Sequence, residues 1–321
     1  MALIISEVVA EYGAYYRAGS DNLKNLNKKL FAPNGTSKNL SPVPTEDTVL
    51  RAANVFQSPV LQGYQDLWTP MGDTTFKPQD IPLFPLKVDI SLIPHQIEAS
   101  WLGFLGAKDT TYKDAPLVKF IAEDLVIPQM QEDYELNAVY KGKKLAITPG
   151  TPQAVADAMD GLRVLLNRGV AAGTVQVITL GAPPTDPMLF VNYVEAFVEG
   201  IPEIIRPKLR KIMMSTVLHN RYRDGMRLKY NVNYALTGSL TTLVNYEQCE
   251  VVGNLSMSGS TKIFTTIEGN MVEGTKKATG VNTLKIEENR RVVDLMTDFW
   301  RGVGFYDYRF VYSNDQDLTQ V

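Results

Sequence analysis

Hydrophobic residues recur every three or four positions in several parts of the chain, a spacing that is typical of amphipathic helices. The first such segment covers residues 20–30, where leucines alternate with lysines and asparagines. The same spacing, together with capping residues at several starts, predicts helices over 45–58, 97–105, 114–140, 151–169, 186–198 and 215–228. Helices therefore account for a large part of the predicted fold.

The longest predicted helix covers residues 114–140. Asp114 can cap its start and Gly142 can end it. Pro128 lies inside the helix and cannot donate a backbone hydrogen bond to the carbonyl of Asp124. We therefore expect a kink near Asp124.

β-Branched and alternating apolar runs predict strands between these helices. They cover residues 86–92, 174–180, 210–214, 262–267, 284–287, 291–300 and 308–312. The run 174–180 predicts a buried strand. The run 291–300 fits either a strand or a helix, and a strand is favoured. Residues 34–44 are rich in glycine, serine and proline and predict a loop. The order of elements indicates an α+β fold.

A proline-rich segment over residues 59–93 separates the first helices from the rest of the chain. Proline lacks the N–H that a central strand needs, so the outer part of this segment must be an edge ribbon or a loop. It also carries Trp68, Phe76 and Phe84, which need a cover. Either another molecule covers them, or the segment is a lid over the protein's own core.

Composition excludes several classes of protein. The chain has 321 residues, 45% of them apolar, and a net charge of −3, so it is globular and has no overall attraction to nucleic acid. The single cysteine, Cys249, cannot form an internal disulfide. The first ten residues lack the pattern of a signal peptide, and no stretch approaches the roughly 20 apolar residues of a membrane span. We expect no membrane partner.

Candidate catalytic and cofactor sites are few. His95 and His219 lie in separate segments without further metal ligands nearby, so we expect no metal or cofactor. The sequence Gly302-Val303-Gly304 lacks the third glycine of a phosphate-binding loop and predicts a hairpin bend. Cys249 has no basic neighbour in sequence and is interpreted as a core residue.

Two groups of carboxylates could in principle serve a hydrolase, which needs two acids held across a cleft. One group is Glu132, Asp133 and Glu135, and the other is Glu287 with Glu288. Acids this close in sequence are explained more simply as a solvated or subunit-facing surface. We expect no catalytic residue.

A basic run lies between residues 206 and 229. Its members are Arg206, Lys208, Arg210, Lys211, Arg221, Arg223, Arg227 and Lys229. They could contact phosphates, or they could pair with acidic faces of a neighbouring subunit. Few aromatic residues are interleaved for base stacking, so the second interpretation is preferred, with Arg221 and Arg223 as inter-subunit contacts.

Several segments, taken in order, resemble the major capsid proteins of tailed bacteriophages. They are Thr69 to Pro78 in the proline-rich segment, Ser100 to Phe104 before the long helix, Asp133 to Gly142 at its end, Thr266 to Thr275, Gly302 to Phe305, and Arg309 to Tyr312. The resemblance implies an HK97-like capsid fold. Its parts would be an N-terminal arm over 1–58, an extended β-hairpin loop over 59–93, a peripheral domain with a long spine helix over 94–142 and 284–321, and an axial α/β domain over 143–283.

This resemblance implies a structural protein that forms pentamers and hexamers of an icosahedral shell around double-stranded DNA. The shell would be assembled in the cytoplasm of a bacterial host and become the virion capsid. Portal, scaffold and decoration proteins would be further partners. The contacts between subunits would involve Trp68, Phe76, Lys77 and Phe84. Some family members cross-link a loop lysine to an asparagine of a neighbour, but no partner asparagine or catalytic acid can be matched to Lys77 or Lys87 here.

The sequence is compatible with two other functions. Encapsulin compartments, which enclose cargo proteins, share the same fold. A different class would be an α/β hydrolase in which residues 59–93 form a lid.

Overall fold

The structure is a computed structural model that describes residues 15, 21–30, 35–93, 117–237, 240–276, 285–290 and 292–318. Its longer helices are α1 (Asp21–Leu30), α2 (residues 117–138), α3 (Leu162–Ala171), α4 (Pro187–Glu199) and α5 (Thr216–Thr237). Short 3₁₀ helices cover Gly35–Asn39, Val155–Asp157, Arg206–Lys208, Leu255–Met257 and Tyr308–Phe310. The strands are β1 (Ser41–Thr45), β2 (Val49–Gln57), β3 (Thr74–Pro82), β4 (Phe84–Leu92), β5 (Gln176–Ile178), β6 (Leu209–Ser215), β7 (Thr242–Leu243), β8 (Tyr246–Asn254), β9 (Phe264–Ile267), β10 (Met271–Lys276), β11 (Lys285–Asn289), β12 (Val292–Phe305) and β13 (Val311–Asn314).

A five-stranded sheet is built around β12. Strand β4 runs antiparallel along one edge of β12, with Leu86 opposite Phe299. Strands β11 and β10 pair with the two halves of the other edge, and β1 adds in parallel to β10. The residues of β12 alternate between buried and more exposed positions over most of its length, which confirms the strand prediction for 291–300 within the residues described.

Helix α2 packs on the apolar face of this sheet. Phe120, Ile121 and Ile127 of the helix join a buried cluster with Leu295 and Phe299 of β12. Leu26 of α1 is buried in the same cluster, and the predicted helix over 20–30 is confirmed for Asp21–Leu30. This burial of apolar surface holds the helix to the sheet.

The hydrogen-bond spacing of α2 changes along its length. The helix is α-helical at Leu117–Lys119 and Ile127–Asp133, and π-helical at Phe120–Val126 and Tyr134–Ala138. The N–H of Ile127 donates to the carbonyl of Ala122, one residue beyond the α-helical partner. Pro128 follows directly, so its missing N–H falls where the hydrogen-bond register changes. The described helix covers residues 117–138 of the predicted 114–140, the kink angle stays a prediction, and Asp114 lies outside the described residues.

A six-stranded sheet has the strand order β5-β13-β9-β6-β8-β7. Helices α4 and α5 pack together and share a buried cluster with this sheet. Asp186 caps α4 by accepting from the N–H groups of Met188 and Leu189 at 2.8 and 3.0 Å, as its sequence position predicts. Cys249 is buried in this cluster, and burial raises the pKa of its thiol to about 12, so it is a core residue.

Several predictions about local structure are wrong. Residues 45–58 do not form a helix, because β2 pairs with β3 over its whole length. Residues 34–44 contain a 3₁₀ helix and β1 instead of a loop. The strand predicted to be buried at 174–180 is a short edge strand whose residues are mostly exposed. The helix predicted over 151–169 starts only at Leu162 and continues past Gly169 to Ala171. The helix predicted over 97–105 lies outside the described residues.

Gly302 and Gly304 lie inside β12, so the predicted hairpin bend at this position is wrong. A Cβ atom at Gly302 would collide with the carbonyl oxygen of Pro82. A Cβ atom at Gly304 would press against the side chain of Ile81. The two glycines therefore allow the end of β3 to approach the central strand closely.

Glu135 is buried, which corrects its assignment to a solvated or subunit-facing surface. Its carboxylate accepts hydrogen bonds from the backbone N–H and hydroxyl of Thr36, at 2.9 and 2.6 Å. It also accepts from the N–H of Ser256 at 3.3 Å. One side chain thus joins α2 to two 3₁₀ helices that are distant in sequence.

Replacing Glu135 by alanine should lower the free energy of unfolding by about 3 kcal/mol, since buried N–H donors would lose their acceptor. Glu132→Ala is the matched control, because Glu132 is exposed on the same helix and its loss should change stability by only about 0.5 kcal/mol. Urea unfolding of both variants measures the difference. Equal stability of the two variants would contradict the role assigned to Glu135.

Candidate self-association surface

Strands β2 and β3 form an antiparallel hairpin that reaches from Val49 opposite Pro82 to Gln57 opposite Thr74. Beyond this last pair, Ser58 and Asp73 close the neck of the loop. The N–H of Ser58 donates to the carbonyl of Asp73 at 3.0 Å, and the N–H of Asp73 donates to the hydroxyl of Ser58 at 2.6 Å. We call residues 58–73 the hairpin tip.

The hairpin tip exposes large apolar side chains. Leu61 and Trp68 are each 90% exposed and Tyr64 is 94% exposed, while Leu67 and Phe76 of the adjoining strand are also exposed. A group of this kind marks an interaction site. The tip also has a defined shape, because the side-chain amide of Gln62 donates to the carbonyl of Thr69 at 2.6 Å.

The base of the hairpin is anchored in the five-stranded sheet. Ile81 and Leu83 are buried there, and the N–H of Leu83 donates to the carbonyl of Thr48 at 2.8 Å. The exposure of Trp68 and its neighbours at the other end shows that the tip does not cover the protein's own core. The interpretation of this segment as a lid is therefore wrong.

Three of the four residues predicted as inter-subunit contacts in the proline-rich segment are exposed. Trp68 and Phe76 are exposed, and Lys77 is exposed with its Nζ 5.0 Å from the centre of the Phe56 ring. Phe84 differs, because it lies opposite Arg301 in the sheet and packs against the apolar cluster at the end of α2. Residues 59–93 thus have partners within the protein over part of their length, because β3 pairs with β2 and β4 pairs with β12.

The basic run is not a patch of free charges. Arg221 of α5 donates to the carbonyl of Pro184 at 2.8 Å, and its guanidinium lies 5.6 Å from the centre of the Phe190 ring. Arg223 is half-buried near His219, whose pKa is lowered by burial first and by the charge of Arg223 second. Other members form ion pairs within the chain: Arg210 with Glu268, Arg227 with Asp224, and Lys229 with Glu195. Reversing the charge of Arg221 would therefore also disturb the fold.

Two buried polar networks were not predicted from the sequence. In the first, Arg301 lies 3.5 Å from Glu273, which also accepts from the hydroxyl of Tyr134 at 2.7 Å. In the second, Lys262 is completely buried, and burial lowers the pKa of its amine to about 8. The negative charge of Asp317 nearby partly offsets this effect. A lysine directly before Ile263-Phe264 is the only sequence signal of such a burial.

Other kinds of site are sparse in the described part of the chain. Among those residues, no group of three His, Cys, Asp or Glu side chains could hold a metal ion. Within the same residues, no helix is long and apolar enough to cross a membrane. His95 lies outside the described residues.

Comparison with known proteins identifies the fold. No family model and no curated protein matches the chain. Among solved structures, a chain of the satellite phage P4 procapsid including size determination (Sid) protein is 11% identical, with 97% of each chain covered and a TM-score of 0.56. The capsid of an empty GTA particle is 13% identical, with 88% of this chain and 90% of that chain covered and a TM-score of 0.52. The capsid of Myoviridae phage XM1 is 13% identical, with coverages of 88% and 91% and a TM-score of 0.50.

The chain has the HK97-like capsid fold. At these identities the similarity concerns the fold alone, and it extends over nearly the whole chain. Within this HK97-like fold, each of the two larger sheets contains strands from both the axial and the peripheral range expected from the sequence. β10, from the expected axial range, pairs with β12, whereas β13, from the expected peripheral range, joins the six-stranded sheet.

Proposed function

We propose that this protein is a structural subunit that assembles with copies of itself into an icosahedral shell. The observation that carries the proposal is the exposed apolar hairpin tip on an HK97-like capsid fold. A protein that stayed monomeric would expose Leu61, Tyr64, Leu67 and Trp68 to water, whereas a neighbouring subunit would bury them. The solved capsid structures that share the fold support this function.

The proposal extends to the arrangement of the shell. Pentamers and hexamers would enclose double-stranded DNA in the virion capsid after assembly in the bacterial host cytoplasm. Portal, scaffold and decoration proteins are proposed as additional partners, and the protein would have no catalytic role. We propose four parts of the chain as a guide to which segments contact neighbours. They are an arm (1–58), a loop (59–93), a peripheral domain (94–142 and 284–321) and an axial domain (143–283).

Trp68, Phe76 and Lys77 are proposed as inter-subunit contacts of the hairpin. Phe84, Arg221 and Arg223 would contribute less directly. Phe84 is half-buried in its own subunit, and Arg221 already binds Pro184. We infer that their role is to hold the surfaces that neighbours contact.

Electron microscopy and sedimentation of the purified protein test the proposal. We expect closed, uniform shells, and nuclease-resistant double-stranded DNA inside shells that are isolated from the natural producing cell. Shells that contain a specific cargo protein in place of DNA would favour the encapsulin-like alternative. A protein that stays monomeric over a wide range of concentration and salt would contradict self-assembly.

A further inference from the structure

The hairpin makes a second contact with the body of the protein, away from its base. The guanidinium carbon of Arg309 lies 3.6 Å from the centre of the Phe56 ring, on the outer half of β2. This distance is that of a cation stacked on the face of an aromatic ring. Arg309 is exposed, so the stack is not simply part of the buried core.

Hydrogen bonds to Asp307 hold Arg309 in place. Its Nε donates to the Asp307 carboxylate at 3.0 Å, and its backbone N–H donates to the same carboxylate at 2.9 Å. Asp307 is itself fixed by Asn270, whose side chain accepts from the N–H of Asp307 and donates to its carbonyl, both at 2.8 Å. The guanidinium therefore has a fixed position that does not depend on the hairpin.

A hydrogen bond next to the stack supports the same contact. The side-chain amide of Asn54 donates to the carbonyl of Tyr306 at 2.7 Å. Asn54 and Phe56 are two positions apart on β2, so their side chains project from the same face of the hairpin. Lys77 of β3 adds a second cation, with its Nζ 5.0 Å from the centre of the Phe56 ring.

The geometry points to Arg309 as a positioning residue that sets the direction of the β2–β3 hairpin. The base of the hairpin fixes where it leaves the sheet, and the stack on Phe56 fixes the angle at which it leaves. This inference rests on the proposed function, because a fixed angle matters when the tip must meet a neighbouring subunit. Arg309 would act by pre-organising the tip for that contact.

Distances between spin labels test the angle directly on the unassembled subunit. Labels are placed at Gly63→Cys in the tip and Leu255→Cys in the body, both open positions, while the buried Cys249 stays unlabelled. With Arg309 present we expect one narrow distance distribution. Arg309→Ala and Phe56→Leu should each broaden or shift it, and Arg309→Lys should have an intermediate effect, because lysine keeps the charge but loses the planar stack.

Arg227→Ala is the matched control. Arg227 is also an exposed arginine paired with an aspartate, but it lies on α5 and its loss should leave the distances unchanged. A distribution that is the same in Arg309→Ala as in the parent would overturn the positioning role. A distribution that changes equally in Arg227→Ala would overturn it too, because the effect would then not be specific to the stack.

Assembly is measured separately on the same variants. If Arg309→Ala leaves about a tenth of subunits with the competent hairpin direction, each hairpin contact should weaken about tenfold, and the concentration needed for assembly should rise. A variant with a displaced hairpin that assembles as readily as the parent would overturn the link to assembly. Failure of the parent to assemble would instead refute the proposed function, while the label distances would still decide whether Arg309 sets the hairpin angle.

Discussion

Replacing residues 59–72 by Asn-Gly should abolish shell assembly and leave the subunit folded. The two residues form a tight turn that can join Ser58 to Asp73, which are already hydrogen-bonded across the neck. The replacement removes Leu61, Tyr64, Leu67 and Trp68, whose side chains are largely exposed in the subunit. Folding loses little because the removed side chains bury little apolar surface, whereas assembly loses its apolar contact.

The replacement must leave β3 intact. A larger deletion, such as residues 66–84, would also remove all of β3, whose end packs against the glycines of β12. Such a variant would unfold for reasons unrelated to assembly. Leu255→Ser is the matched control for the shortened tip, because Leu255 is an exposed apolar residue on the body of the protein.

Sedimentation and electron microscopy measure assembly, and circular dichroism with urea unfolding measures the fold. The expected outcome is a folded subunit without shells for the shortened tip, and normal shells for Leu255→Ser. Normal shells from the shortened tip would show that the tip is not an assembly contact. Unfolding of the shortened tip would show that it supports the subunit's own core.

Local patterns predicted many elements of the fold. The leucines of α1, the Asp186-Pro187 start of α4 and the alternation in β4 depend on neighbours within a few residues, so periodicity and capping rules reveal them. The error at β2 has the opposite cause. Val49, Leu50 and Ala53 fit a helical spacing, but the decisive partner is β3, whose pairing depends on residues distant in sequence.

The candidate surface was partly predictable for the same reason. Prolines and large aromatic residues close together indicated an exposed ribbon, and the tip with Trp68 agrees. The sequence could not show that Phe84 packs inward, because this depends on its position opposite Arg301 in the sheet. The burial of Glu135 and Lys262 is likewise set by elements that meet only in the folded chain.

Lys262 makes the stability of the protein depend on pH. Burial lowers the pKa of its amine from 10.5 to about 8. Below pH 8 the amine is charged in both the folded and the unfolded state, and the folded state carries the full cost of burying that charge. Between pH 8 and 10.5 the amine is neutral in the folded state and still protonated in the unfolded state, so stability rises with pH. The difference of about 2.5 pKa units corresponds to an upper value of about 3 kcal/mol.

The groups that face Lys262 explain why this cost is only partly offset. Asp317 favours the charged amine, but Arg163 opposes it, and Asp317 also accepts from the hydroxyl of Ser260 at 2.7 Å. Ser260 in turn contacts the hydroxyl of Tyr140 at 2.9 Å. The carboxylate of Asp317 is therefore shared among several partners, and the buried amine gains little from it.

Lys262→Met should accordingly raise the free energy of unfolding at pH 7 by about 1 to 3 kcal/mol, because methionine fills a similar volume without a charge. The gain over the parent should shrink steadily from pH 8 to pH 10.5, as the parent's own amine becomes neutral in the folded state.

Lys208→Met is the control, since Lys208 is exposed and its loss should change stability by about 0.5 kcal/mol at most. Urea unfolding at pH 7, 8, 9 and 10 measures the difference between each variant and the parent, so titration of tyrosines common to all three proteins cancels. A gain that is equally large at pH 7 and pH 10 would show that Lys262 is not the group that titrates, and a loss of stability at pH 7 would show that its charge is stabilised in the folded protein.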